Sequence, residues 1–161
     1  MARTSTREDK SIYQLAREKA KMTRAEASEA IQFISESSIE KIESGKTVAK
    51  PGDVMAMAQA YKCPDLCNQY CSMECEIGKV TVPTIKAKSL SEISLSVLST
   101  LNSLEKEKER LIEITEDGVI TDDEIEDFTR IQEQLKKISI TADTLMMWVQ
   151  RAIAEGSFPK E

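Results

Sequence analysis

The chain has 161 residues, of which 40% are apolar, 4% aromatic and 31% charged, with a net charge of −6 and no histidine. That length suits one domain, or one small domain with an extension, and a core built mostly from Leu, Ile, Val, Met and Ala favours helices. The commonest general base and metal ligand is missing, no apolar run approaches the roughly 20 residues of a membrane span, and the opening "MARTSTREDKS" has no hydrophobic signal core, so a cytoplasmic, all-α protein with no membrane contact is expected.

Residues 1–9 read as an N-terminal tail. Four or five short helices fit residues 10–72. The first runs from about Ser11 to Lys21, with Ile12, Leu15, Ala16 and Lys19–Ala20 on one stripe and Tyr13 beside it. Thr23 and Glu26 form a capping box that opens a second helix running to about Gln32, with Ala27, Ala30 and Ile31 inward. Ser35 caps a third helix, with Ile39 and Ile42 inward and Gly45 as its stop. Pro51 opens a fourth, with Val54, Met57, Ala58 and Tyr61 on one face.

The stretches "YQLAREKAKMTRAEASEAI", "ISESSIEKIESGK" and "PGDVMAMAQAY" together resemble the lambda-repressor/Cro-like helix-turn-helix family over residues 10–62. The resemblance implies that the third helix enters the major groove of double-stranded DNA and that the start of the second touches phosphate. Carried over by position, Arg24 would meet backbone phosphate. Glu36, Ser37, Glu40 and Lys41 would face base edges, and Lys46 would meet phosphate. The chain departs from the family in two ways. Thr23 to Ser35 spans twelve steps, one more than is usual, and "QFIS" stands where a glycine-containing turn is customary, so the angle between the two helices is expected to differ. The reading face also holds two carboxylates and one lysine. A carboxylate can accept from cytosine N4, but it repels phosphate, so weak binding per monomer and a need for dimerisation follow. The same fold can serve as scaffold alone, and that alternative stays open.

"CPDLCNQYCSMEC" sets Cys63, Cys67, Cys71 and Cys75 at steps of four. On one straight helix the outer two would lie about 18 Å apart, too far for one metal, but a turn after Ser72 would let Cys75 fold back over Cys67 and Cys71. Three alternatives stand: thiols that pack a fifth helix, a zinc or iron–sulfur site at Cys67, Cys71 and Cys75, and a redox switch. Apart from such a site, no cofactor is expected. "LCNQYCSMECEIGKVTVPTIK" is also similar to a group of small bacterial helix-turn-helix proteins with a long helical C-terminal part, which implies a regulator-like architecture without naming a ligand.

Residues 10–75 thus form the helix-turn-helix domain with a Cys-rich fifth helix, and 76–88, with Gly, Pro and β-branched residues, reads as an extended linker. Residues 89–156 read as a long antiparallel helical hairpin. Ser89 or Ser91 caps its first helix, which carries Ile93, Val97, Leu101, Leu104, Leu111 and Ile114, widened by Leu98 and Ile112. The second carries Ile125, Phe128, Ile131, Leu135, Ile138, Ala142, Leu145, Val149 and Ala152, with "SIT" at 139–141 as the one place it would bend. Between them, Gly118 at position six of a calcium loop would put Glu113 and Thr115 where the first ligands belong. The competing account has Gly118 end one helix while Thr121 and Glu124 box the next. Residues 157–161 are a C-terminal tail.

Charge divides the same way. Residues 1–62 carry 11 Lys/Arg against 9 Asp/Glu, and residues 89–161 carry 8 against 16. Only the N-terminal part can approach a phosphate backbone without strong repulsion. No nucleophile–base pair, phosphate loop or paired carboxylate set stands out, so no enzyme is expected. The expected protein is a DNA-binding transcriptional regulator that forms a homodimer through the hairpin, a coiled-coil-like contact. The alternatives are a protein-interaction adaptor and a metal- or thiol-responsive switch.

Overall fold

A computed structural model describes residues 10–157, and every regular element among them is an α-helix. Contacts divide the chain into two units. One runs to Ile85 and takes in the chain from Val149 onward; the other is Lys86–Trp148.

The first unit begins with α1 (Ile12–Lys19), whose N-cap Ser11 accepts from the Gln14 amide. Then come α2 (Arg24–Ile31), α3 (Glu36–Glu43) and α4 (Pro51–Ala60). The Thr23–Glu26 box closes in both directions at the start of α2, Ser35 caps α3, and Pro51 sits in the first turn of α4. Each cap satisfies amides that the first helical turn cannot pair internally. The core gathers Ala16, Ala27, Ile31, Ile34, Ile39, Ile42, Val54, Met57, Tyr61 and Leu66 around Tyr13. Three positions expected on inward stripes face out: Leu15, Lys19 and Ala30 are exposed, while Tyr13 and Arg17 turn inward from α1.

Next come α5 (Asp65–Met73) and α6 (Glu76–Thr81). The latter corrects the expectation of an extended linker over 76–88, which holds only beyond Val82. Val80 and Thr81 have weak helix propensity, but packing overrides it. Gly78 is buried so closely on α5 that a Cβ there would lie 2.0 Å from the Cys71 carbonyl oxygen. The chain beyond α6 is held by Asn68, whose amide donates to the Pro83 carbonyl at 3.0 Å and accepts from the Ile85 amide at 3.0 Å. The end of the chain closes the unit. Arg151 binds Asp65 in the first turn of α5, and a glycine turn at Gly156 returns the Ser157 amide to the Ala152 carbonyl.

The second unit holds α7 (Leu90–Thr115) and most of α8 (Ile125–Ala154), two long helices packed together. Ser89 and Glu92 form a full capping box at the start of α7. The inward line of α7 is Ile93, Val97, Thr100, Leu104, Glu107, Leu111 and Ile114, alternating fours and threes as a helix against a single neighbour requires. Leu101, expected inside, is therefore exposed, and Thr100 and Glu107 occupy the seam. On α8, Ile131, Thr144 and Met147 are buried; Ile125, Leu135 and Ala142, also expected inside, are exposed. Glu107 is neutralised by a bidentate pair with Arg130 at 3.0 Å, and Arg110 binds Asp127 at 2.7 Å. The helix continues through 139–141 without a break. At the turn, Gly118 has φ +73°, the Asp117 carboxylate accepts from the Val119 amide, and the Thr121 amide and hydroxyl both donate to Glu124. These bonds belong to a helix stop and a helix start, with Asp117 and Glu124 engaged in the turn itself.

Candidate nucleic-acid interface

The two helices of the motif are joined by an unusual turn. Gln32 has φ +70° and ψ −37°, and the Phe33 amide donates to the Ile31 carbonyl at 2.9 Å, two residues back. This is a γ-turn with positive φ at its centre, a strained form that absorbs the extra residue between Thr23 and Ser35. The Ser28 hydroxyl donates to the Ile34 carbonyl at 2.8 Å and ties the far end of the turn to α2. Ile31 and Ile34 are buried on either side, and Phe33 is left 69% exposed.

A three-residue ion cluster fixes α3 against α1 and α2. Glu43, near the end of α3, accepts from Arg17 Nε at 2.6 Å and Nη2 at 3.0 Å, and from Arg24 Nε at 2.8 Å. Arg17 Nη1 donates to the Met22 carbonyl at 2.7 Å. The Glu43 side chain is 1% exposed and that of Arg17 is 8% exposed, so neither charge could be left unpaired without a large penalty. The carboxylate holds the Arg17 guanidinium protonated well above its ordinary range. Tyr61 lies against the same charges. Burial and Glu43 push its phenol up to about 12, and its hydroxyl has no partner among the described residues.

Arg24 is thereby both held and partly free. Glu43 engages its Nε, while the side chain is 35% exposed at the start of α2. Glu36, Ser37, Glu40 and Lys41 are exposed together on the outer face of α3, and the Ser35 hydroxyl lies 3.1 Å from that of Ser37 and 2.9 Å from that of Ser38. Beyond the helix, Gly45 at φ +72° lets the Lys46 amide donate to the Lys41 carbonyl at 2.9 Å and its own amide reach Ile42 at 3.1 Å. This double bond at the helix end sets where the exposed Lys46 leaves the surface. All six residues carried over from the family resemblance thus lie on α2, α3 and the loop after α3. Arg17 and Glu43 were missed. The signal was a charge at an inward position of each helix, which a folded chain tolerates only as a pair.

The cysteines are arranged differently. All four are free and half-buried against the core, with Cys63, Cys67 and Cys71 along α5 and its approach, and Cys75 at the N-cap of α6. Among the described residues no group of three or more Cys, Asp or Glu side chains converges where a metal could sit. Burial pushes the Cys63 and Cys67 thiols up, and Cys67 is raised further by Cys71 and Cys63.

Residues 14–66 match a family model described as a helix-turn-helix domain, which is consistent with the lambda-repressor/Cro-like resemblance. No curated protein and no solved structure matches the chain. Among the described residues no helix is long and apolar enough to cross a membrane.

Proposed function

We propose that the chain is a sequence-specific DNA-binding regulator that acts as a homodimer. The observation that carries this reading is the exposed outer face of α3, with Glu36, Ser37, Glu40 and Lys41 presented together between Arg24 and Lys46. Arg24 and Lys46 would hold phosphates on either side, and the residues between them would discriminate base edges. Two carboxylates on the reading face lower affinity for any phosphate backbone, so one copy binds weakly, and two linked copies gain from a shared effective concentration. The role is binding, with no reaction assigned. Selection of bound fragments from random DNA at low and moderate salt tests it. A recovered palindrome is expected, and no enrichment at either salt would overturn the reading.

A second reading, a protein-interaction adaptor, is favoured by Phe33, exposed in the turn that leads into α3, whose outer face carries Glu36 and Glu40. An exposed apolar anchor on an acidic element suits a basic, apolar peptide better than a phosphate backbone.

A further inference from the structure

Charge is distributed along the α7–α8 hairpin in a way its overall acidity hides. Residues 105–133, the half around the turn, carry 12 Asp/Glu against 4 Lys/Arg. The other half, residues 86–104 with 134–148, carries Glu92 and Asp143 against Lys86, Lys88, Lys136 and Lys137. From Ser89 to Leu104 the chain "SLSEISLSVLSTLNSL" has Glu92 as its one charged residue.

On that stretch the inward line uses Ile93, Val97 and Leu104. Three further leucines, spaced by three, lie outside that line and are exposed: Leu95 is 69%, Leu98 59% and Leu101 51% exposed, with Leu95 also bordering a groove against Lys137, Ile140 and Thr141 of α8. They form one sector centred on Leu98, with Ser91, Ser94 and Asn102 around them. A helix that is apolar on both sides is one that another surface covers. Along the same sector beyond Leu104 come Glu105, Lys108 and Glu109, with Ile112 isolated among them. The apolar patch therefore has a defined end.

We infer that the Leu95–Leu98–Leu101 face of α7 is the contact between two copies of this chain, crossing antiparallel about Leu98. The inference rests on the dimeric reading above and names its surface. A two-fold contact needs a self-complementary patch centred on the axis, and this one is uncharged and apolar on both sides of Leu98. Charge fixes the direction. A parallel arrangement would lay one acidic half beside the other. An antiparallel crossing at Leu98 points the acidic halves in opposite directions and keeps them apart.

Sedimentation of the whole protein from micromolar to hundreds of micromolar, with circular dichroism to verify folding, tests this. The wild type is expected to be dimeric. Leu98→Glu and Leu101→Glu, both at exposed positions, should each weaken the dimer by at least about tenfold while keeping the helical spectrum. Ile112→Glu, exposed in the same sector but outside the patch, should leave it intact. Added salt should not tighten the dimer, because the antiparallel contact leaves no acid–acid repulsion for salt to screen. A dimer that survives both leucine variants, or that Ile112→Glu dissociates, would overturn the surface while leaving a dimer in place. A dimer that tightens with salt would overturn the antiparallel direction. A wild type that stays monomeric throughout would overturn the dimeric reading with it.

Discussion

Arg151, near the end of α8, holds Asp65 at the start of α5 through three hydrogen bonds of 2.7, 2.7 and 2.9 Å, across 86 residues of chain. Both side chains are largely buried, and the carboxylate also lies in the first turn of a helix, where negative charge is favoured. Removing either partner leaves the other partly buried and unpaired. Arg151→Ala is therefore expected to destabilise the protein by about 1–3 kcal/mol, with a coupling energy of similar size in a double-mutant cycle with Asp65→Ala. Faster hydrogen exchange at amides 152–157 should accompany it. Additive single effects would show that the pair contributes nothing beyond its separate side chains.

Gln32 should be improved by glycine. A side chain in the left-handed region costs about 1–2 kcal/mol, while glycine raises the entropy of the unfolded chain by about 0.5–1 kcal/mol. The two effects leave Gln32→Gly more stable by about 0.5 kcal/mol, readable as a small rise in the urea midpoint at unchanged slope. Destabilisation would mean that the Gln32 side chain holds the turn in a way its backbone bonds do not.

Gly78→Ala should act the other way. The added carbon meets the backbone oxygen of Cys71, which no rotamer change can move, so α6 must shift off α5. Overpacking of this kind typically costs about 1–3 kcal/mol. Urea denaturation measures it, and a neutral result would mean that α6 docks with slack.

Alkaline pH should loosen the first unit. Burial raises the Cys63 and Cys67 thiols above their ordinary 9.0, and raises Tyr61 from 10.0 to about 12. Burial and the 2.6 Å bond to Glu74 raise Tyr13 as well. In each case the folded state keeps its proton longer than the unfolded chain does. Stability from these groups is complete below pH 9, falls as the unfolded thiols ionise, and falls further above pH 10 through Tyr61 and Tyr13. Melting temperature measured from pH 7 to 11 should decline in that order, and Tyr61→Phe, which also removes the unpartnered hydroxyl, should make the upper part shallower. An unchanged melting temperature up to pH 11 would contradict the burial of these groups.

Lys46 and Lys41 would make two different kinds of contact with DNA. On the proposed reading, Lys46→Ala should weaken binding to every sequence and reduce the salt slope by about one, whereas Lys41→Ala should chiefly relax preference within the selected site. Titrations with the selected duplex and a scrambled one at several salt concentrations distinguish them. Equal affinities for wild type and both variants would remove α3 from the interface.

The helix starts were legible because caps are local. Thr23 with Glu26, Ser35, Pro51 and Ser89 each declare a helix start within four residues. The faces were less so. Leu101 and Leu135 fit a three–four repeat as well as Thr100 and Gln134 do, and hydrophobicity alone prefers the leucines. Only the presence of a single neighbouring helix chooses the seam that includes Thr100 and Glu107, with Arg130 there to neutralise the acid. The α6 helix was hidden for a related reason: Gly78 reads as a breaker unless the backbone of Cys71 is known to lie against it. At the interface, the family resemblance reached the outward residues but missed Arg17 and Glu43, whose roles depend on helices 26 residues apart in sequence meeting in space.

Asn68 bears on where this protein can be cut. The helix-turn-helix match ends at residue 66, one residue into the buried side of α5, and a fragment stopped there would lose Tyr70 from its core. Stopping at Ile85 keeps both bonds of Asn68 and the seat of Gly78, so the shortest piece with its own hydrogen bonds intact is about twenty residues longer than the recognised motif. Even that piece leaves Asp65 without Arg151. The last turns of α8 therefore act as a removable brace for the helix-turn-helix half, and the stability difference between the piece and the whole protein is the strength of the brace.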